Sequence, residues 1–204
     1  MIISFQSWGA CPLNDGDIVF IKSKTEQAKL LHLTTGSEWT HVGMAFQRSV
    51  GWDIIEAVQP VRWTSLNSFV RRSNHLAFKV FRPIFNFDAK EIKYFSEEKL
   101  GQDYDLVFSW NQNRWYCSEL VWKAYKKVAG EELGVLEKIG DLKNIDKPAI
   151  RQEAYRRFSA YGEEYNHDAW KKTLVITPVQ MMKSKRIKDI SNNYTMEEYS
   201  DCLR

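Results

Sequence analysis

Runs with strand character cluster in the first half of the chain, and helical spacing dominates the second. That order constrains the fold most, because a parallel α/β sheet needs strands and helices in alternation. Asp17 to Ile21, His41 to Phe46, Asp53 to Val58 and Ala77 to Phe81 are short and rich in β-branched and aromatic residues. Asn14-Asp15-Gly16 supplies a turn before the first run, and Gln47 to Trp52 joins the second and third as a hairpin loop. One helix interrupts this group, from Thr25 to Leu33, and stops near Gly36. Further on, Asp88-Ala89-Lys90-Glu91 caps a helix that runs to Leu100 and ends at Gly101. The next begins at about Cys117 and ends at Gly130, with Leu120, Val121, Ala124, Tyr125 and Val128 at helical spacing. Pro148 opens another, and Thr177-Pro178 a last short one. The implied fold class is α+β, an antiparallel sheet packed against helices.

The 204 residues suffice for one domain with a sizeable core, and 1–204 reads as that single domain. Residues 131–172 are charged and loop-rich, the pattern of an insertion or lid over the main body. A net charge of +3 is too even to argue for nucleic acid or an anionic membrane surface. Lys183-Ser184-Lys185-Arg186 reads as a solvated helix end. No apolar stretch is long enough to span a bilayer, so no stable membrane insertion is expected. Met1 to Ala10 lacks the basic start and apolar run of a signal peptide. The default location is therefore cytoplasmic, with signal-independent export to the envelope or a target cell as the alternative. The three cysteines, Cys11, Cys117 and Cys202, are odd in number and show no CxxC spacing. That argues against a disulfide framework and a structural zinc site, and leaves a thiol free to react.

Cys117 stands where the aromatic, turn-prone segment Trp110 to Trp115 meets a helix start. A helix N-terminus presents unpaired N–H groups and the positive end of the dipole, which favour a thiolate over a thiol. The same groups can hold the oxyanion that develops in acyl transfer. In a strand from His41 to Phe46, His41, Gly43 and Ala45 share one face, and the two small residues there leave room for a helix end to approach the imidazole. Glu56 is a charge inside an apolar run, so it faces solvent or has a partner. If the hairpin sets Glu56 directly opposite His41, the carboxylate can orient the ring. A register shift of two leaves the pair diagonal and in reach, whereas a shift of one puts them on opposite faces.

Leu13 to Phe20, Thr40-His41-Val42-Gly43-Met44, Ile55-Glu56-Ala57-Val58, Gly101 to Asp105, Tyr116-Cys117-Ser118-Glu119-Leu120-Val121 and Thr177-Pro178 occur in this order. Together they resemble the YiiX/YebB-like branch of the NlpC/P60 superfamily, the permuted papain-like cysteine hydrolases. The likeness spans about residues 13 to 183, except for 131–172. In ordinary members cysteine precedes histidine; in the permuted branch histidine comes first, as here. The resemblance implies Cys117 as nucleophile, His41 as base and Glu56 as the residue orienting His41. It implies a cysteine hydrolase that cleaves a peptide or peptidoglycan-type amide through a thiol acyl-enzyme. The alternatives are a lipid amide or ester hydrolase or acyltransferase of the lecithin–retinol type, and a non-catalytic binding module on the same fold. The expected partner is a small peptide, a peptidoglycan fragment or a lipid. Trp39, Trp115 and Tyr116 flank the proposed pair and are expected to wall a substrate pocket. No cofactor is expected, since neither a Gly-rich phosphate loop nor a GxSxG elbow is present. No metal is expected either, because no short-spaced ligand pair occurs.

Overall fold

A computed structural model describes residues 11–110, 113–193, 199 and 202–203. The signal-peptide reading of Met1 to Ala10 lies outside the described residues. Along the first half run β1 (Ile18–Ser23), α1 (Glu26–Thr35), β2 (His41–Arg48), β3 (Gly51–Glu56), β4 (Arg62–Ser65), α2 (Leu66–Arg71) and β5 (Ser73–Pro83). There follow α3 (Ala89–Glu97), β6 (Asp103–Tyr104), β7 (Arg114–Trp115) and α4 (Cys117–Ala129). Last come β8 (Glu137–Lys138), α5 (Pro148–Ala160), α6 (His167–Lys172), β9 (Leu174–Val175), α7 (Pro178–Met182) and β10 (Ile187–Asp189). The main sheet has the order β10-β5-β1-β2-β3-β4, and every pairing in it is antiparallel. The fold is thus α+β, as the clustering of strand runs requires.

Local chemistry sets the helix ends that matter for the site. Thr25 caps α1 by accepting the Ala28 N–H at 3.2 Å, and Gly36 closes it in the left-handed conformation. Gly130 closes α4 in the same way. At the start of α4 the Glu119 carboxylate accepts the Tyr116 N–H at 3.2 Å, and the Ser118 hydroxyl donates to the Ile176 carbonyl at 2.7 Å. These bonds anchor the first turn of α4 against the chain that leads into α7. The strand β10 and the unit β4–α2 escape the sequence pattern, because they are short and carry no alternation.

Each sheet face has its own core. Val42, Met44 and Phe46 point to one face and pack with Cys117, Leu120 and Val121 of α4. Ala45 points to the other, among Val19, Ile54 and Phe69. The expected role of Gly43 and Ala45 is corrected here: the helix packs on the Val42–Met44 face. A Cβ at Gly43 would instead crowd Ile54, the Ile55 carbonyl at 3.0 Å and the Glu56 Cβ at 3.3 Å. Gly43 therefore lets β3 lie close.

The hairpin of β2 and β3 is tighter than expected. Gln47 pairs with Trp52 and Arg48 with Gly51, so only Ser49 and Val50 form the turn. Met44 faces Ile55, and continuing that register sets Glu56 opposite Gly43, diagonal to His41. The direct opposition is replaced by the two-residue shift, which keeps both residues on one face.

Residues 131–172 carry more helix than their charge suggests. Along α5 only Ile150, Ala154 and Arg157 turn inward, so most of the helix is free to be polar. Ile139, Ile145, Ile150 and Val175 form a small separate core, with Leu30 of α1 and Trp170 of α6 against it.

The cysteine reading also needs correction. Cys11 and Cys202 form a disulfide, 191 residues apart in sequence with Cα atoms 5.1 Å apart. It sits with the core on the sheet face away from α4. Two cysteines at opposite ends of a chain carry no spacing signal, and only folding reveals the pair. Cys117 is the free thiol. Without reductant, alkylation of the denatured protein followed by mass spectrometry should modify Cys117 and leave Cys11 and Cys202 untouched until they are reduced. Labelling of all three cysteines in the unreduced protein would contradict the pairing.

Candidate active site

Three elements deliver the three side chains that resemblance singled out. Cys117 is the first residue of α4, His41 the first of β2, and Glu56 the last of β3. The β2–β3 ladder ends at Met44 and Ile55, one residue short of Glu56. The Val42 N–H and the Ser118 N–H of the first helical turn both donate toward the Cys117 sulfur.

The His41 ring lies between the sulfur and the carboxylate. Its Nε2 meets Glu56 Oε2 at 2.5 Å, which leaves Nδ1 for the hydrogen bond to Cys117. Glu56 is fully buried at 0% exposure, so its charge needs partners. Thr64 Oγ1 donates to Oε1 at 2.6 Å, and Arg72 Nη2 lies 2.6 Å from both carboxylate oxygens. The Phe69 ring, 5.5 Å from the imidazole centroid, packs beside it.

The electrostatics of the three groups are linked. Burial pushes the Cys117 thiol up, but the His41 charge, its hydrogen bond and the two backbone N–H groups together bring it below the ordinary thiol range. Burial pulls the His41 ring down, yet the negative sulfur and the bonds to Cys117 and Glu56 raise it to about 9. Burial raises Glu56, and the His41 and Arg72 interactions overcome this and hold it at about 2. The arrangement therefore favours a thiolate facing an imidazolium at neutral pH. A thiolate so placed can attack a carbonyl carbon, and an imidazolium beside it can protonate a leaving group.

Two cavities meet at this pair. Cys117 borders an apolar one, lined also by Tyr116, Phe108, Ile150 and Trp170. His41 opens on a wider, more polar one that includes Arg72, Gln59 and Asp103. Gln27 and Tyr104 line both. The parallel pairing of Tyr104 with Trp115 carries the tyrosine to the cysteine turn.

Of the expected pocket residues, only Tyr116 borders a cavity at the pair, and its hydroxyl accepts the Ile176 N–H at 3.2 Å. Trp39 lies elsewhere, with the Lys22 ammonium 5.4 Å and the Lys79 ammonium 5.8 Å from its ring. Trp115 points away from the pair, packing edge-on against Phe95 at 6.1 Å and donating its Nε1–H to Gln102. Neighbours in sequence diverge at a helix start, so proximity to Cys117 along the chain does not make them neighbours in the pocket. Arg72, Thr64 and Gln27 were missed. The first two lie in the unpredicted β4–α2 unit, and Gln27 looks like any polar residue of a first helical turn.

With histidine and carboxylate on strands that precede the cysteine helix, the fold is that of a permuted papain-like domain. Residues 12–191 match the family described as permuted papain-like amidase enzyme, YaeF/YiiX, C92 family, and the chain belongs to that family. It is 29% identical over 146 residues to a protein of Escherichia coli K12 named "Uncharacterized protein YiiX", covering 70% of this chain and 72% of that one. A solved structure from Escherichia coli O157:H7, titled as the metalloprotein yiiX, superposes with a TM-score of 0.75 at 25% identity. That match covers 89% of this chain and 97% of the other. Among the described residues of this chain, no group of three or more His, Cys, Asp or Glu side chains is placed to hold a metal ion.

The rate at which iodoacetamide alkylates Cys117 should follow the thiolate fraction. Because the folded pKa is lowered, the half-maximal rate should fall at a pH below about 8.5, the ordinary thiol value. In His41→Ala, burial is opposed only by the two backbone N–H groups, and the midpoint should move to higher pH. A wild-type midpoint at or above the ordinary value would contradict the paired state.

Proposed function

We propose that this chain hydrolyses an amide bond through an acyl-enzyme on Cys117. The observation that carries the reading is the buried relay in which Glu56 holds His41 by Nε2 while the other ring nitrogen bonds the thiol. Membership of a family described as amidases supports the same bond type.

In the reaction the Cys117 sulfur bonds to the carbonyl carbon, and the carbonyl oxygen takes the negative charge. The Cys117 N–H, in the first turn of α4, is available to hold that oxyanion. The imidazolium gives its proton to the amide nitrogen, the C–N bond breaks, and the amine leaves a thioester behind. Neutral His41 then takes a proton from water, which attacks the thioester, and the acid and thiolate are released. Glu56 stays ionised throughout, fixing the ring and stabilising its charged form, while Arg72 and Thr64 hold the carboxylate.

The metalloprotein title belongs to the solved relative. Here the Nε2 of His41 and both oxygens of Glu56 are spent on hydrogen bonds within the relay. The Cys11–Cys202 disulfide favours an oxidising compartment over the cytoplasm expected by default. No helix among the described residues is long and apolar enough to cross a membrane.

Cys117→Ser should remove nearly all amide turnover while keeping the fold, and His41→Ala should do almost as much. Glu56→Gln should cost less, roughly 10²-fold, because it weakens the base without removing it. The alkaline limb of kcat/KM should fall at about pH 9, where His41 loses the proton that the leaving nitrogen needs. Steady-state kinetics on a chromogenic amide, with mass spectrometry for a trapped thioester, checks these outcomes. Turnover that survives in Cys117→Ser would defeat the reading, and a protein that binds amides without any turnover would be a binding module.

A further inference from the structure

Trp115, which points away from the catalytic pair, helps line a third concave surface, between α3 and α4. Its lining is Phe95, Lys99, Trp115, Lys123, Lys126 and Lys127. Apart from the two aromatic residues, every one of these is a lysine. A net charge of +3 over the whole chain does not reveal this cluster.

Aromatic rings hold two of the ammonium groups in place. Lys99 Nζ lies 4.9 Å from the Phe95 ring and 5.7 Å from that of Trp115. Lys123 Nζ lies 4.7 Å from the same Trp115 ring and 4.8 Å from Trp110. Such contacts pre-position a charge, so less side-chain freedom is lost when a ligand arrives. Lys126 and Lys127 follow in the last turn of α4.

The carboxylates that face these lysines compete weakly. Glu98 lies 3.2 Å from Lys99 and Glu132 lies 2.8 Å from Lys126, and both acids are exposed, where an ion pair contributes little. Glu119 lies 2.5 Å from Lys123, and burial pushes its carboxyl up to about 7. It therefore cancels only part of the Lys123 charge at neutral pH. Among the described residues, no carboxylate pairs with Lys127.

This balance selects the chemistry of a ligand. A carboxylate would exchange one acid for another with little gain. A phosphate group carries a charge of about −1.5 to −2 and three acceptor oxygens, so it outcompetes a single carboxylate. Lysine binds phosphate as a point charge, whereas planar carboxylate recognition favours the arginine fork, which this groove lacks. Four ammonium groups along one groove call for several phosphates close together. The space, mouth included, is about 970 Å³, ample for a chain of three. The Lys99 and Lys123 side chains are only 19% and 24% exposed, too recessed for a flat lipid surface to reach. A free anion can enter.

We propose that the groove between α3 and α4 binds a free oligophosphate, a compact anion of two or more linked phosphates. The site is separate from the catalytic pair and does not rest on the amidase reading.

The test is calorimetric titration of the full chain with inorganic tripolyphosphate. The wild type should bind one anion per chain, at least about tenfold more tightly than inorganic monophosphate. Lys126→Gln/Lys127→Gln should weaken binding by about tenfold, and Lys99→Gln by about fivefold. Lys143→Gln/Lys147→Gln removes two exposed charges in the 131–172 segment and should change the affinity by less than about twofold. No saturable binding in the wild type overturns the site. So does an affinity that the groove variants leave unchanged, or one that Lys143→Gln/Lys147→Gln lowers as much as they do. A second arm measures co-sedimentation with vesicles of phosphatidylglycerol and phosphatidylcholine. Vesicle binding that needs the groove lysines, without any binding of tripolyphosphate, would also overturn the proposal and assign the groove to a membrane surface.

Discussion

A carboxylate with no access to water must be paid for by its partners, and Glu56 organises this site around that demand. Its oxygens accept from His41, Thr64 and Arg72, which arrive from β2, β4 and the end of α2. Removing one partner of such a buried charge costs about 3–5 kcal/mol, so these elements are held together by the same group that tunes the base. The imidazole is thereby fixed in position and biased to its charged form before any substrate arrives.

The end of the β2–β3 ladder makes this geometry cheap to build. The β2–β3 pairing ends at Met44 and Ile55, and just beyond it the Val42 N–H donates toward the sulfur. The helix on the other side contributes the Ser118 N–H, and Ser118 itself is tied to Ile176. Strand β2 and the start of α4 thus stabilise the same thiolate from two directions. The cavities follow from the same meeting point, since α1 and the 131–172 segment close over one side of the sulfur while the other side of the imidazole stays open.

Legibility in the sequence tracked how local each cause was. The helix from Cys117 to Gly130 could be read because its spacing and its glycine end are written in adjacent residues. The triad could be proposed because each member carries a short motif, although its diagonal register depended on a turn of only two residues. Gly43 was read as making space for a helix, but what fills that space is Glu56 and Ile54 on the neighbouring strand. Arg72 and Gln27 were invisible, because an arginine after a short helix and a glutamine in a first turn are ordinary until the fold buries what they face. The disulfide was invisible for the same reason: its two halves meet only when the chain ends do.

The account stands on a charged imidazole within a buried pair. The direct measurement is the ¹⁵N resonance of the His41 ring as a function of pH, in wild type and in Cys117→Ala. The account predicts a doubly protonated ring at neutral pH that titrates at about 9 in the wild type, and at lower pH once the sulfur is gone. A neutral ring at pH 7 in the wild type, titrating near the ordinary histidine value of about 6.5, would contradict it.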